Sequence, residues 1–292
     1  MTLYTIQNER LTVKISDLGA ELRSIKDRSG YEYLWQGNID GLWEGHAPIL
    51  FPICGQVWEG RYTWQGKTYE LGCHGFAQFM TFDGEQISDD CLRMTLVANE
   101  ETKRLYPFDF SLSVCFRLED NRLSCTVTVG NRGEGPMPFS LGFHPGFNVP
   151  MDGTAFEDWH LSFSEPCAPK EIVVTESGFI TGECIPRPLV DGRILPLTHS
   201  LFDINSPFYK EIPSSVRLES EKSPRAVTLS YEGLPYLGIW QDEKTEAPFL
   251  CIEPWHGMPT IEGRDEELAT KTDTVTLQSG ETKTFGFICT IE

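Results

Sequence analysis

The sequence predicts an all-β fold, a sandwich or large barrel with little helix. Period-two alternation recurs along the chain, no segment of ten residues carries an i, i+3, i+4, i+7 apolar stripe, and 26 Gly and 19 Pro punctuate the short runs. Leu11, Val13 and Ile15 alternate with Thr12, Lys14 and Ser16, and the whole stretch Met1 to Asp17 reads as one strand. Leu112, Val114, Phe116 and Leu118 alternate with polar neighbours, Glu119-Asp120-Asn121-Arg122 makes a turn, and Leu123 to Val129 alternates again, which is a hairpin. Further strands are expected at His160–Phe163, Arg225–Tyr231, Thr274–Leu277 and Thr284–Ile288. The Pro-rich stretch Glu165 to Pro196 is the one candidate boundary. Strand signals on both sides favour a long loop within a single domain spanning residues 1–292.

Hydrophobic content of 40% supports a sizeable core, and the seven Trp and eighteen Phe leave aromatics to spare for a binding surface. A formal charge of −19 repels polyanions, which argues against nucleic acid or an anionic membrane surface as partner. No stretch approaches the ~18 apolar residues of a membrane span, and the first residues lack a signal-peptide run. The nine cysteines show no zinc-ribbon or Cys-x-x-Cys spacing and read as buried thiols of a reducing compartment, so a cytoplasmic protein is expected. The sequence leaves the oligomeric state open.

Chemistry concentrates in three motifs. They are Cys73-His74-Gly75-Phe76-Ala77, Gly142-Phe143-His144-Pro145-Gly146-Phe147 and Cys251-Ile252-Glu253-Pro254-Trp255-His256-Gly257. His74 and His144 are each followed by Gly or Pro-Gly, punctuation that favours a strand end where a side chain projects into a cleft. Glu253 follows the apolar run Phe249–Ile252, where burial would raise its pKa toward that of a general base. Two imidazoles and a carboxylate supply proton donors and an acceptor near neutral pH. A satisfied core imidazole is the plain alternative for either histidine taken alone. His46 and His256 are weaker candidates, and His160 and His199 read as structural or surface groups. Phe76, Phe147, Trp240 and Trp255 lie near the motifs and could wall a sugar ring, which has an apolar face.

These motifs, with Pro48-Ile49-Leu50-Phe51-Pro52-Ile53, Leu234-Pro235-Tyr236-Leu237-Gly238-Ile239-Trp240 and the ending Leu277-Gln278-Ser279-Gly280-Glu281, occur in an order that resembles the aldose 1-epimerase (galactose mutarotase-like) family, in particular its LacX-type members. The resemblance implies a large antiparallel β-supersandwich with a sugar site in an open cleft. It also implies the roles: Glu253 takes the anomeric hydroxyl proton, His144 protonates the ring oxygen, and His74 assists. Neither cofactor nor metal is implied, because ring opening already proceeds slowly in water and a positioned acid and base at ~10²–10⁴-fold each suffice. Substrate contacts fall to Gln56, Gln78, Asn205, Trp255 and Phe147.

Two departures bear on specificity. Gln56 and Gln78 stand where phosphosugar-specific members tend to carry arginines, and a neutral amide cannot replace a bidentate phosphate clamp. Asn205 aligns with the family's substrate-binding Asp, with Asp203 close by. The expected activity is therefore anomer interconversion of a neutral hexose or short saccharide. Competing readings are a non-catalytic carbohydrate-binding or sensing protein on the same fold, a hexose-6-phosphate mutarotase, a two-His-one-carboxylate metal site, and a glycosidase, which needs two carboxylates.

Overall fold

Strand Phe110–Glu119 buries Phe110, Leu112, Val114, Phe116 and Leu118 and turns the residues between them outward. That alternation, repeated across the chain, builds two large sheets, beside a three-stranded sheet of residues 3–7, 11–16 and 22–27 and two small two-stranded ones. The computed structural model describes residues 1–292. A nine-stranded sheet runs in the order 194–196, 160–163, 215–219, 227–230, 282–291, 122–131, 110–119, 91–97, 83–88. An eight-stranded sheet runs 180–186, 170–174, 208–210, 236–240, 249–256, 141–143, 49–50, with 146–148 also paired to 249–256. Every strand pairing in both is antiparallel. One apolar core of 65 buried residues draws on both sheets, and the Phe143 and Phe287 rings meet edge to face across it at 5.0 Å. The one α-helix, Glu100–Leu105, is short and starts at Asn99, whose side chain accepts from the Glu101 and Thr102 amides. No helix is long and apolar enough to cross a membrane.

The expected hairpin forms between Phe110–Glu119 and Arg122–Asn131, with Asp120 at φ 53 in its turn. The strand at His160–Phe163 is as expected, those at 227–230 and 275–277 are slightly shorter, and the last runs on to Thr282–Ile291. Two expectations are corrected. Met1 to Asp17 is not one strand but two, Leu3–Gln7 and Leu11–Ser16, because the Asn8 side-chain oxygen accepts from the Arg10 and Leu11 amides and reverses the chain. The stretch Glu165 to Pro196 is not a loop: it contains strands Lys170–Val174, Ile180–Pro186 and Ile194–Pro196. Ile180–Pro186 and Ile194–Pro196 lie at sheet edges, where proline is tolerated, and in Lys170–Val174, one strand in from the edge, a bulge between Ile172 and Val174 erases the alternation.

Candidate active site

Strand Phe249–His256 is buried on both sides of its sheet. Leu250 and Ile252 enter the main core, so the pleat turns Cys251, Glu253 and Trp255 to the opposite face. On that face the register decides what Glu253 meets. Gly142 pairs with Trp255 and Gly146 with Cys251, so the two-residue break between strands 141–143 and 146–148 holds His144 at the level of Glu253. On its other side Glu253 pairs with Gly238, which in turn pairs with Phe208. A Cβ at Gly238 would sit 2.5 Å from the Phe208 ring, so glycine leaves room beside the carboxylate. Phe208, Gly238 and Glu253 thus form one row across three strands, with His144 beside its end.

His74 arrives from outside the sheet. It stands at φ 64, rare for a residue with a Cβ, and is held by two bonds to Gly55: its amide donates to the Gly55 carbonyl at 2.8 Å, and its Nδ1 accepts from the Gly55 amide at 3.1 Å. That second bond leaves the neutral ring's proton on Nε2, a donor. The next residue, Gly75 at φ 72, passes so close to the Phe51 carbonyl that a Cβ would lie 2.3 Å from its oxygen.

His74, His144 and Glu253 line one pocket of about 300 Å³, at the small end of ligand cavities. His144 Nε2 lies 3.2 Å from Glu253 Oε2, and the His74 and His144 rings are 5.6 Å apart. His144 is 8% exposed and Glu253 1%, and Glu253 Oε2 makes no aligned hydrogen bond. Burial pushes the Glu253 carboxyl well above the usual carboxylate range; the neighbouring Trp255 indole opposes the rise without forming a full hydrogen bond. Burial lowers His144 to about 3, helped by His74, and lowers His74 to about 4. Trp43 leans on the His144 ring at 4.9 Å, and Trp240 meets it edge-on at 5.5 Å. A larger recess of about 580 Å³, around Arg10, Asp27 and Tyr33, shares no residue with this pocket.

The model of the family described as Aldose 1-epimerase matches residues 2–188. This chain belongs to the aldose 1-epimerase family. Among individual proteins it is 34% identical over 269 residues to the chromosomal protein LacX of Lactococcus lactis subsp. lactis, covering 87% of this chain and 88% of that one. Of solved structures, a galactose mutarotase related enzyme from Lactobacillus acidophilus superposes with TM-score 0.94 at 33% identity, over 100% of this chain and 97% of that one. A galactose mutarotase-like protein from Lactobacillus casei gives 0.93 at 34%, over 100% of both. The fold is the galactose mutarotase-like all-β fold expected from the sequence.

In this member of the aldose 1-epimerase family, Gln56, Gln78, Asn205 and Trp255 also line the pocket. Gln56 donates to the Ser177 carbonyl at 2.7 Å and Asn205 to that of Thr175 at 2.7 Å, while the Asn205 side-chain oxygen accepts from Ser206, so the amides also brace the rim. No Lys or Arg is among the lining residues.

Phe147 corrects the expectation. Gly146 opposes Cys251 on the pocket face, so the next residue points the other way, and Phe147 is fully buried in the main core. Phe147→Ala is expected to cost about 3–5 kcal/mol of stability with an unchanged KM, measured by urea unfolding and steady-state kinetics. Phe76 is a core residue too, and His46, buried, is not at the pocket. His256 contacts the Asp273 carbonyl and the Phe285 ring instead. The sequence reading missed Trp43 and Phe208. Phe208 could have been found from the Phe-Tyr-Lys strand pairing with Gly238, but Trp43 comes from an irregular loop with no periodic signal.

Proposed function

We propose that this chain is an aldose 1-epimerase that interconverts the α and β anomers of a neutral hexose or short saccharide, as a single domain spanning residues 1–292. The supporting observation is the 3.2 Å approach of His144 Nε2 to Glu253 Oε2, with the His74 ring adjacent, in a pocket sized for one sugar ring. Glu253 and His144 would share one working proton. With it on His144, the carboxylate takes the anomeric hydroxyl proton while the imidazolium protonates the ring oxygen, and the ring opens. Rotation about C1–C2 and closure on the other face return the proton to His144. His74, with its proton on Nε2, would donate a hydrogen bond to the sugar. Trp255, Phe208, Trp43 and Trp240 offer apolar surface to the ring face.

The lining favours an uncharged sugar, since no cation is there to meet a phosphate. Polarimetry on α-glucose, α-galactose and their 6-phosphates, corrected for spontaneous mutarotation, should show acceleration for neutral sugars and a kcat/KM for the phosphates at least about tenfold lower. Binding of sugars without acceleration would support a sensing protein instead and overturn the enzyme reading.

The pH dependence follows from the lowered imidazoles. The pair takes up a second proton only in acid, so kcat/KM should show its acid limb at or below about pH 4, with no inflection at the ordinary imidazole value of ~6.5. A limb at that ordinary value would contradict the buried, uncharged His144.

A further inference from the structure

Cys251 has no part in the proposed proton transfers, yet it stands on the same strand face as Glu253, two residues away. Ligand atoms of His144, Cys251 and Glu253 all lie within 4.8 Å of one another, and all three residues are buried. Gly146, the cross-strand partner of Cys251, lacks the Cβ that would sit 3.3 Å from its sulfur, so the thiol has room on this face. Glu253 Oε2 is buried and lacks an aligned hydrogen-bond partner. An orphaned buried carboxylate oxygen beside an imidazole and a thiol is a donor set without an acceptor for its charge.

We propose that His144, Cys251 and Glu253 form a binding site for a thiophilic divalent cation of the zinc type, which silences the sugar site by holding His144 and Glu253. One nitrogen, one sulfur and one oxygen suit zinc better than magnesium or calcium, which take oxygen donors. The spacing fits as well. Two tetrahedral ligands bonded at ~2.0–2.1 Å are about 3.3 Å apart, and His144 Nε2 and Glu253 Oε2 already stand at 3.2 Å. The sulfur, within 4.8 Å of both atoms, has to draw in to reach a Zn–S bond of ~2.3 Å. Binding forms metal–nitrogen, metal–sulfur and metal–oxygen bonds and releases the thiol proton and the carboxyl proton to solvent. The thiolate and carboxylate then balance the cation, so the buried cluster is neutral with metal as it is without. Three protein ligands leave a fourth position, which faces the pocket because His144 and Glu253 line it. The two-His-one-carboxylate set expected from the sequence as a metal alternative is replaced by this one: Cys251, rather than His74, completes the cluster.

The silencing rests on the epimerase reading, but the site does not, and cobalt separates the two. Titrating the intact chain with Co²⁺ should give one tetrahedral ion per chain, with visible d–d bands and a near-ultraviolet sulfur-to-cobalt charge-transfer band, both displaced by Zn²⁺. Cys251→Ser should lose the charge-transfer band and weaken binding by about 10–100-fold, while Cys73→Ser keeps the band. His144→Asn, which alters a different strand, should weaken binding similarly and retain the charge-transfer band; it decides the matter if Cys251→Ser does not fold. An octahedral spectrum, a charge-transfer band that survives in Cys251→Ser, or undiminished affinity in His144→Asn overturns the site. If metal-free protein turns over no sugar, the function reading fails while the cobalt spectrum still decides the metal site. If it turns sugar over and Zn²⁺ binds without inhibiting, the silencing is overturned.

Discussion

If Glu253 is the proposed base, Glu253→Gln should slow anomer interconversion by about 10²–10⁴-fold, the range of a lost general base, and at the same time make the chain more stable. Both results come from one fact. Glu253 is 1% exposed, with no Lys or Arg lining its pocket, and burial holds its carboxyl well above its ordinary 4.5. A group whose folded-state value is raised contributes its stability fully below 4.5 and loses it as pH climbs toward the folded-state value. Glutamine has no such dependence. The gain should therefore be small near pH 4 and reach about 1–2 kcal/mol at neutral or alkaline pH, the usual scale of an activity–stability trade. Thermal unfolding of both proteins at two pH values measures it, and sugar binding by the variant separates lost chemistry from lost affinity. A variant that turns over at the original rate removes Glu253 from the role of base.

His144→Asn should be as slow as Glu253→Gln, and the double variant hardly slower than either. Two groups that pass one proton between them act as a unit, so removing the second partner takes away little that remained. Independent groups would instead give multiplying losses in the double variant, which overturns the shared-proton mechanism. The imidazole also leaves its mark on stability. His144 is lowered to about 3, so the unfolded chain binds a proton that the folded chain refuses, and stability falls as pH drops below the ordinary 6.5. With asparagine in place, that part of the acid sensitivity should vanish.

The strand-rich fold was legible because half-buried antiparallel strands write their pleat into the sequence, as Phe110–Glu119 and Arg122–Asn131 do. Strands near a sheet edge, such as Lys170–Val174, were not, because a bulge and flanking prolines break the period that would reveal them. For the site, Gly and Pro punctuation located His74 and His144, and an acidic residue inside an apolar strand located Glu253. What the sequence could not carry was parity. Phe147 and Gly146 are neighbours in the same motif, but only the register with Cys251 and Leu250 tells which faces the pocket. Trp43 was invisible for a different reason: an irregular segment puts it over His144, with its amide donating to Asp242, about 200 residues away in sequence.

The row Phe208–Gly238–Glu253 lies in the interior of a sheet, with His144 held between two short strands beside it, whereas Trp43, Gln56, Gln78 and Asn205 come from connections around it. Reactive groups anchored by ladder pairing keep their separation while the surrounding segments are exchanged. Substitution in those connections can thus retune which molecule is admitted and leave the chemistry where it is, so divergence among relatives should gather at the rim before it reaches the floor.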